Sequence, residues 1–376
     1  MESMNHIVIK KVHFDYALLI VTALLVMIGV VMVYSSSAVL AQEYYHDSYH
    51  FLKKEVTFCI IGFGAMMVTI KIPYKWLRKA AYPLLGITML LLLLAFVPGI
   101  KSVVSGASRW IRIGSFSFQP SELAKLITII FLAYALEKKS SKIKTFGMGF
   151  LPQALVVAMI VMTILAQRDF GAAFVIMLIA AVMMYISGVR SLYLAGAAVS
   201  LIPVVYFLVA SVGYRRQRIL SFLNPWNDRY GSGFQIIQSL VSFNEGGVMG
   251  SGLGEGVQKL FYLPEAHTDF IFAVLGEELG LIGVMTVILM FAFLIWRAVM
   301  ITSRTPDLFS KYLAFGITTF IAAQVLLNIC VVMGLLPTKG LVLPFISYGG
   351  SALVTMLMSI GILLNISSHK LVKSEE

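Results

Sequence analysis

Charged residues are scarce in this sequence. Asp, Glu, Lys and Arg make up only 12% of its 376 residues, whereas an ordinary soluble domain carries about 25%. Hydrophobic residues reach 59%, and a soluble core could not bury that much apolar surface. The shortage of charge therefore excludes an ordinary soluble protein and predicts that lipid surrounds most of the side chains.

Cysteine is scarcer still, and its scarcity excludes two kinds of site. Cys59 and Cys330 are the only cysteines and both lie in apolar segments, so they predict neither a disulfide framework nor a metal site. His46 and His50 are four residues apart, but no third ligand accompanies them. The formal charge of +11 comes from basic residues scattered through loops, which is not the continuous stripe of a nucleic-acid-binding protein.

Long apolar runs are what the sequence does contain. A helix needs about 20 apolar residues to cross the hydrocarbon core, and the first run is too long for a secretory signal and is read as a retained helix. The sequence predicts an all-α polytopic membrane protein with about ten transmembrane helices, over residues 14–36, 56–72, 80–98, 120–136, 148–166, 170–187, 191–212, 269–296, 308–334 and 344–367.

Basic residues are divided unevenly between alternate loops. With the N-terminus inside, the inner loops hold 16 Lys and Arg residues and the short outer loops hold 7. The positive-inside rule then predicts that both termini are cytoplasmic. A single membrane domain, residues 14–368, would lie between tails 1–13 and 369–376. Its long segments, 99–119 and 213–268, would be extracytoplasmic, and the second should pack back onto the helices because it is rich in aromatic residues.

Asp269 ends a polar run at the point where an apolar helix begins. The helix macrodipole favours a carboxylate there by about 0.3–1 kcal/mol, while desolvation opposes ionisation. Asp269 is either a functional carboxylate or a helix cap, and the neighbouring His267 is either a base or a packed residue. Glu277 and Glu278 lie two turns deeper, where an ionisable group indicates function; at most one of them shares a cavity with Asp269.

A basic loop leads into another helix near residue 120. Pro120 favours the first helical turn, which makes Glu122 and Lys125 neighbours on one face. A lysine one turn into a membrane span must pair or face water, so an ion pair is expected that either lines a cavity or is purely structural. Arg109 and Arg112 precede it and could bind a phosphate or lie at the surface.

Three further segments carry distinctive patterns. Residues 167–171 form a charged tight turn between two apolar spans. Residues 334–354 contain prolines and glycines at intervals typical of a re-entrant or broken helix. Such irregular backbone is stable within a membrane only where protein or a water-filled cavity covers it. The glycines of residues 250–256 follow no strand, so they do not indicate a nucleotide site.

Three motifs occur here together and in order: RWIRIG…FQPSELAK, HTDFIFAVLGEELG and LLPTKGLVLPFISYGGS. The chain thereby resembles the SEDS family of bacterial shape, elongation, division and sporulation proteins, over about residues 14–368. NPWNDRYGSGFQIIQSL and PTKG look more like the division members than the elongation members, and a sporulation paralogue stays open. One departure is Arg168, where the family commonly has proline.

The resemblance implies a peptidoglycan glycosyltransferase that polymerises lipid II outside the cytoplasmic membrane, at the division septum. Its implied partners are a class B penicillin-binding protein, which is an FtsI-like transpeptidase, and other divisome membrane proteins. A lipid II flippase and a non-catalytic divisome scaffold are the alternatives.

The resemblance also assigns site residues. The essential aspartate of the family falls on Asp269, which would be the general base or the ligand of a divalent cation, Mg or Mn. The predicted substrate-binding residues are Arg109, Glu122, Lys125, Asp169, Lys259 and His267, with Arg109, Lys125 and Lys259 near the diphosphate.

Overall fold

The protein is a helical bundle with two small sheets. The computed structural model describes residues 7–11, 14–97, 101–104, 107–114, 116–210, 221–231, 233–260, 262–305, 307–338 and 340–373. Within them lie eleven α-helices: α1 (Tyr16–Tyr45), α2 (His50–Lys71), α3 (Tyr74–Leu94), α4 (Pro120–Lys138), α5 (Leu151–Ala166), α6 (Phe170–Ile186), α7 (Ser191–Ala210), α8 (Phe234–Gly246), α9 (Ile271–Ser303), α10 (Leu308–Val332) and α11 (Gly350–Ser367).

All ten predicted helices are present, and six helical segments of the described chain are long and apolar enough to cross a membrane. The prediction missed α8 and ended α1 too early. Helix α1 continues through polar residues because Ser36 and Ser37 donate their hydroxyls to backbone carbonyls one turn back, at 2.7 and 2.6 Å. Serines that bond in this way are compatible with a helix interior.

The two sheets were not expected in an all-α chain. Strands β2 (Lys101–Val104), β3 (Ala107–Ile113) and β4 (Phe116–Phe118) form an antiparallel sheet before α4. Strands β1 (Ile7–Lys11) and β5 (His369–Lys373) pair with each other, also antiparallel. The second sheet joins residues 7–11 to residues 369–373, which lie in the two segments predicted as cytoplasmic tails.

Helices α4, α10 and α11 form the centre of the bundle. Nearly all of α4 and α11 is buried, including polar side chains. Burying a polar side chain without a hydrogen-bond partner destabilises a protein. The buried polar residues of these helices are therefore candidates for structural hydrogen bonds or for ligand binding.

The segment before α9 packs back onto the helices, as predicted. Gly280 has φ of 62° and ψ of −165°, which interrupts α9, and the glycine-rich stretch that begins at Gly247 supplies replacement hydrogen bonds. The carbonyls of Glu277 and Glu278 accept the N–H groups of Ser251 and Gly252 at 2.9 and 3.1 Å, and the Gly247 carbonyl accepts from residue 281. Gly250 and Gly280 allow this close backbone packing, because a Cβ on Gly250 would clash with the Glu278 carbonyl and one on Gly280 with the Gly250 backbone nitrogen.

Candidate active site

A cavity of about 1630 Å³ lies among α4, α5, α6, α7, α10 and the segment that precedes α9. Its apolar wall follows α6 from Phe170 to Met184, which is about 21 Å of helix, compared with about 30 Å for the hydrocarbon core of a bilayer. Its charged lining residues are Arg109, Glu122, Arg168, Asp169, Glu265 and Asp269.

The charged residues gather at one end of this cavity because several chain segments are tied together there. Ser121 at the start of α4 donates to Asp169 before α6 at 2.7 Å. Gln119 donates its backbone N–H to Ser351 of α11 at 3.0 Å, and Tyr348 donates its backbone N–H to the His267 carbonyl at 3.0 Å. The starts of α4, α6, α9 and α11 therefore meet, and the cavity joins a long apolar trough to a polar end.

Asp269 lies at this polar end, in the turn before α9. The N-cap position belongs to Phe270, the next residue, and the helix-cap interpretation of Asp269 stays a prediction. Asn328 of α10 fixes the backbone: its amide donates to the carbonyls of Asp269 and Leu341 at 2.9 and 2.6 Å. A Cβ at Gly340 would lie 3.4 Å from Asp269 Oδ2. The Asp269 carboxylate therefore lies next to the backbone of Gly340, where any other residue would place a side chain.

Glu122 and Lys125 form the ion pair that their spacing predicts, with 2.7 Å between Lys125 Nζ and Glu122 Oε1. The lysine is 1% exposed and lies over the Phe320 ring at 5.3 Å. Glu122 borders the cavity, and its second oxygen, Oε2, is buried with no hydrogen-bond partner among the described residues. Glu122 Oε2 is thus a hydrogen-bond acceptor at the cavity wall that the ion pair leaves unpaired.

Strand β3 contributes donors to the same wall. Arg109 and Trp110 both border the cavity, and Arg109 Nε and Trp110 Nε1 are buried without a partner in the described part of the chain. Arg112, three residues beyond Arg109 on the strand, is exposed and does not border the cavity. Of the two arginines considered for phosphate binding, Arg109 is therefore the one in position.

Asp169 borders the cavity, but both its oxygens are engaged in holding the site together. Oδ1 accepts the backbone N–H of Ala172 at 3.1 Å and so caps α6, while Oδ2 accepts from Ser121 and from the Gln119 side chain at 2.7 and 2.8 Å. The preceding Arg168 has φ of 64°, which proline cannot adopt. This rim therefore differs in backbone from a Gln-Pro-Asp turn.

Lys259 lies away from the cavity. Its ammonium donates to Glu278 Oε1 at 2.6 Å, to Ser35 Oγ at 3.1 Å and to the Gly254 carbonyl at 2.7 Å. Glu277, one of the two glutamates considered as a neighbour of Asp269, accepts backbone N–H groups of residues 257 and 258 instead. Neither glutamate borders the cavity.

His267 is a packed residue in the structure. Its ring lies 4.7 Å from that of Phe51 and 5.7 Å from that of Tyr348, between centroids, and it does not border the cavity. Burial lowers the pKa of the His267 imidazole, and the Glu265 carboxylate opposes that effect. A substrate contact for His267 stays a prediction.

The described residues contain no group of three His, Cys, Asp or Glu side chains that could enclose a metal ion. A divalent cation at Asp269 would need most of its oxygens from elsewhere, which is how Mg²⁺ bound by one carboxylate and substrate phosphates is held. The prediction of a cation ligand at Asp269 would then describe a cation held by this carboxylate together with water and substrate phosphates.

Sequence reasoning missed Gln324 and Trp110. Gln324 is 1% exposed, borders the cavity and has no partner for either amide atom among the described residues. It was absorbed into a predicted membrane span, although a polar amide inside such a span was itself a signal. Trp110 stands in the quoted RWIRIG motif, but its need for a hydrogen-bond acceptor was not considered.

Fold and cavity together define a polytopic membrane protein with a site for an amphiphilic molecule. Residues 16–371 match the family model of FtsW, RodA and SpoVE, described as cell cycle protein. The chain therefore belongs to this family, the SEDS family that its motifs resemble.

Curated relatives match along nearly the whole chain. One from Geobacter sulfurreducens, named "Probable peptidoglycan glycosyltransferase FtsW", is 49% identical over 356 residues, which is 95% of each chain. The "Stage V sporulation protein E" of Bacillus subtilis is 44% identical over 360 residues, 96% of this chain and 98% of that protein.

Solved structures match as well. A chain from "Structural coordination of polymerization and crosslinking by a peptidoglycan synthase complex" has a TM-score of 0.77 at 28% identity, covering 94% of this chain and 97% of the other. The rod shape determining protein RodA of Thermus thermophilus has a TM-score of 0.69 at 26% identity, covering 94% and 96%.

Proposed function

We propose that this protein is a peptidoglycan glycosyltransferase of the cytoplasmic membrane that polymerises lipid II during division. The observation that carries the proposal is the single cavity that joins an apolar trough along α6 to a charged end holding Asp269. A polyprenyl chain fits the trough, and its diphosphate and sugars fit the polar end. The relatives named as glycosyltransferases support the same activity.

Asp269 is proposed as the general base. Its carboxylate takes the proton of an acceptor sugar hydroxyl, whose oxygen attacks the anomeric carbon of the donor. The bond between that carbon and the diphosphate oxygen breaks, and polyprenyl diphosphate leaves with the electron pair. Direct displacement inverts the anomeric centre, and one carboxylate suffices because a diphosphate leaves without an acid.

Arg109 and Lys125 are proposed to stabilise the diphosphate as negative charge develops on it. The unpaired Arg109 Nε supports a direct contact. Lys125 does not border the cavity and pairs with Glu122, which does, so its charge would act on the diphosphate without direct contact. Asp169 holds the start of α6 against the start of α4 and keeps this end of the cavity in shape.

The polar end of the cavity is proposed to open on the extracytoplasmic side, with both termini cytoplasmic. The excess of basic residues in the opposite loops supports this orientation. A class B penicillin-binding protein is the proposed partner; the related chain with a TM-score of 0.77 comes from a peptidoglycan synthase complex. Other divisome membrane proteins at the septum are proposed as further partners.

The test is polymerisation of lipid II by the purified protein with its class B partner, with glycan strands separated on a gel. Wild type should form strands, and Asp269→Asn should be slower by about 10²–10⁴-fold, as for loss of a general base. Asp269→Asn should keep the Asn328 bond, which goes to the Asp269 backbone, and thermal melting checks that the variant is folded.

Two outcomes would overturn the proposal. If wild type forms no strands but moves labelled lipid II across vesicles, the protein is a flippase. If it does neither and still binds the partner, it is a scaffold. Wild-type polymerisation rates in Asp269→Asn would reject the assignment of the base alone.

A further inference from the structure

Gln324 has the surroundings of a binding residue that waits for a ligand. It lies in the middle of α10, is 1% exposed and borders the cavity. Neither amide atom has a hydrogen-bond partner among the residues that the structure describes. Burying an unpaired amide destabilises a protein, so this arrangement is explained best by a partner that the protein chain itself does not supply.

Its place on α10 locates that partner. Phe320, one turn earlier, packs against the Lys125 ammonium, and Asn328, one turn later, bonds to the Asp269 backbone. Four residues of helix span about 6 Å. Gln324 therefore stands on the wall between the ion pair and the proposed base.

The unpaired atoms of this wall define the chemistry of the ligand. Gln324 offers both a donor, Nε2, and an acceptor, Oε1, and the nearby Glu122 adds the acceptor Oε2. The oxygens of a diphosphate only accept hydrogen bonds, so they could pair with Nε2 but with neither acceptor. A sugar hydroxyl or an acetamido group donates and accepts, so it complements both residues.

We propose that Gln324 binds the uncharged polar substituents, hydroxyl or acetamido, of a sugar in the lipid-linked substrate. This rests on the proposed function, since it assigns the sugar to the stretch of cavity wall between Glu122 and Asp269. The donors Arg109 and Trp110 are then left to contact the diphosphate directly, with the Lys125 charge behind Glu122.

The test compares Gln324→Met with Gln153→Met in the complex with the partner. Gln153 of α5 is a matched control: it is 1% exposed and lacks partners for both amide atoms in the described chain, but it does not border the cavity. Loss of one or two hydrogen bonds to substrate should lower kcat/KM of Gln324→Met by about 5- to 100-fold. Gln153→Met should keep wild-type kinetics.

Thermal melting separates binding from a structural role. Both variants remove a buried unpaired amide, so both should melt at or above the wild-type midpoint. Wild-type kcat/KM in Gln324→Met overturns the inference, and so does a lowered melting midpoint, which would show that the amide supports the fold.

Failure of the proposed function leaves the inference testable. If wild type forms no strands, melting is measured with added lipid II. A rise for wild type and Gln153→Met that is absent in Gln324→Met supports sugar binding without polymerisation. Equal shifts of the melting midpoint in all three proteins, or no shift in any of them, overturn the inference.

Discussion

Lys259 was predicted to contact the diphosphate, yet the structure places it in a buried ion pair, and the two roles predict different results. The Lys259 and Glu278 side chains are 4% and 0% exposed, with 2.6 Å between Nζ and Oε1. All three donors of the ammonium are engaged, with Glu278, Ser35 and Gly254. Lys259→Met leaves the Glu278 carboxylate buried beside Ser35 alone, which costs about 3–5 kcal/mol.

The double change Lys259→Met with Glu278→Leu removes both charges, and replacing both partners of a buried pair is neutral or stabilising by about 1–4 kcal/mol. We expect the double variant to regain the wild-type melting midpoint and to polymerise lipid II. Lys53→Met is the control, because the Lys53–Asp47 pair is exposed and is worth at most about 1 kcal/mol.

Two results would refute this reasoning. Wild-type melting of Lys259→Met alone would show that the pair does not hold the segment onto α9. A double variant that is folded but inactive would return Lys259 to the diphosphate site.

Three further predictions follow. Gly340→Ala and Gly114→Ala share the strain of φ near 60°, about 1–2 kcal/mol, but only the Gly340 methyl meets Asp269. Polymerisation should fall about tenfold or more in Gly340→Ala, and equal activity in the two variants would contradict the placement of Asp269. Burial lowers the pKa of His267, so the stability that the neutral imidazole contributes is complete above the ordinary pKa of about 6.5 and declines as pH falls below that value. Between about pH 7.5 and 5.5 the melting midpoint of His267→Gln should therefore fall less than that of wild type. Parallel curves of melting midpoint against pH would contradict this. Arg168→Pro should lower the unfolding free energy by more than about 1 kcal/mol, because proline cannot adopt the φ of 64° at this position and removes the N–H that donates to the Leu165 carbonyl; an unchanged melting midpoint would mean that the turn has another backbone.

The helices were predictable because lipid imposes a simple rule on sequence. A span needs a run of apolar residues, and all ten runs became helices. The errors lie where polar residues continue a helix, as at Ser36 and Ser37, whose hydroxyls bond within α1. The sheet before α4 was missed because its strands are short and their pairing depends on contacts across a turn, which periodicity does not report.

The candidate site was predictable in its charged residues and not in their pairing. Glu278 lies outside the cavity that Asp269 borders; helix geometry allowed at most one of Glu277 and Glu278 to share it. Nothing in the sequence showed that Lys259 would follow Glu278 there, because the reach of a lysine from a loop depends on how that loop packs. Here the loop packs through backbone hydrogen bonds to the interrupted helix at Gly280, with the close approach at Gly250 and Gly280.

Unpaired atoms are the part of the site that sequence reasoning could least supply. A hydrogen-bonding group is unpaired only with respect to its three-dimensional neighbours, and here the unpaired atoms of Arg109, Trp110, Glu122 and Gln324 come from β3, α4 and α10. These atoms differ in whether they donate or accept hydrogen bonds. The two β3 residues only donate, Glu122 only accepts and Gln324 does both. Free phosphate would leave the acceptors unsatisfied and a simple sugar would leave the guanidinium uncompensated, so a molecule that joins a diphosphate to a sugar is the kind of ligand that satisfies the whole wall.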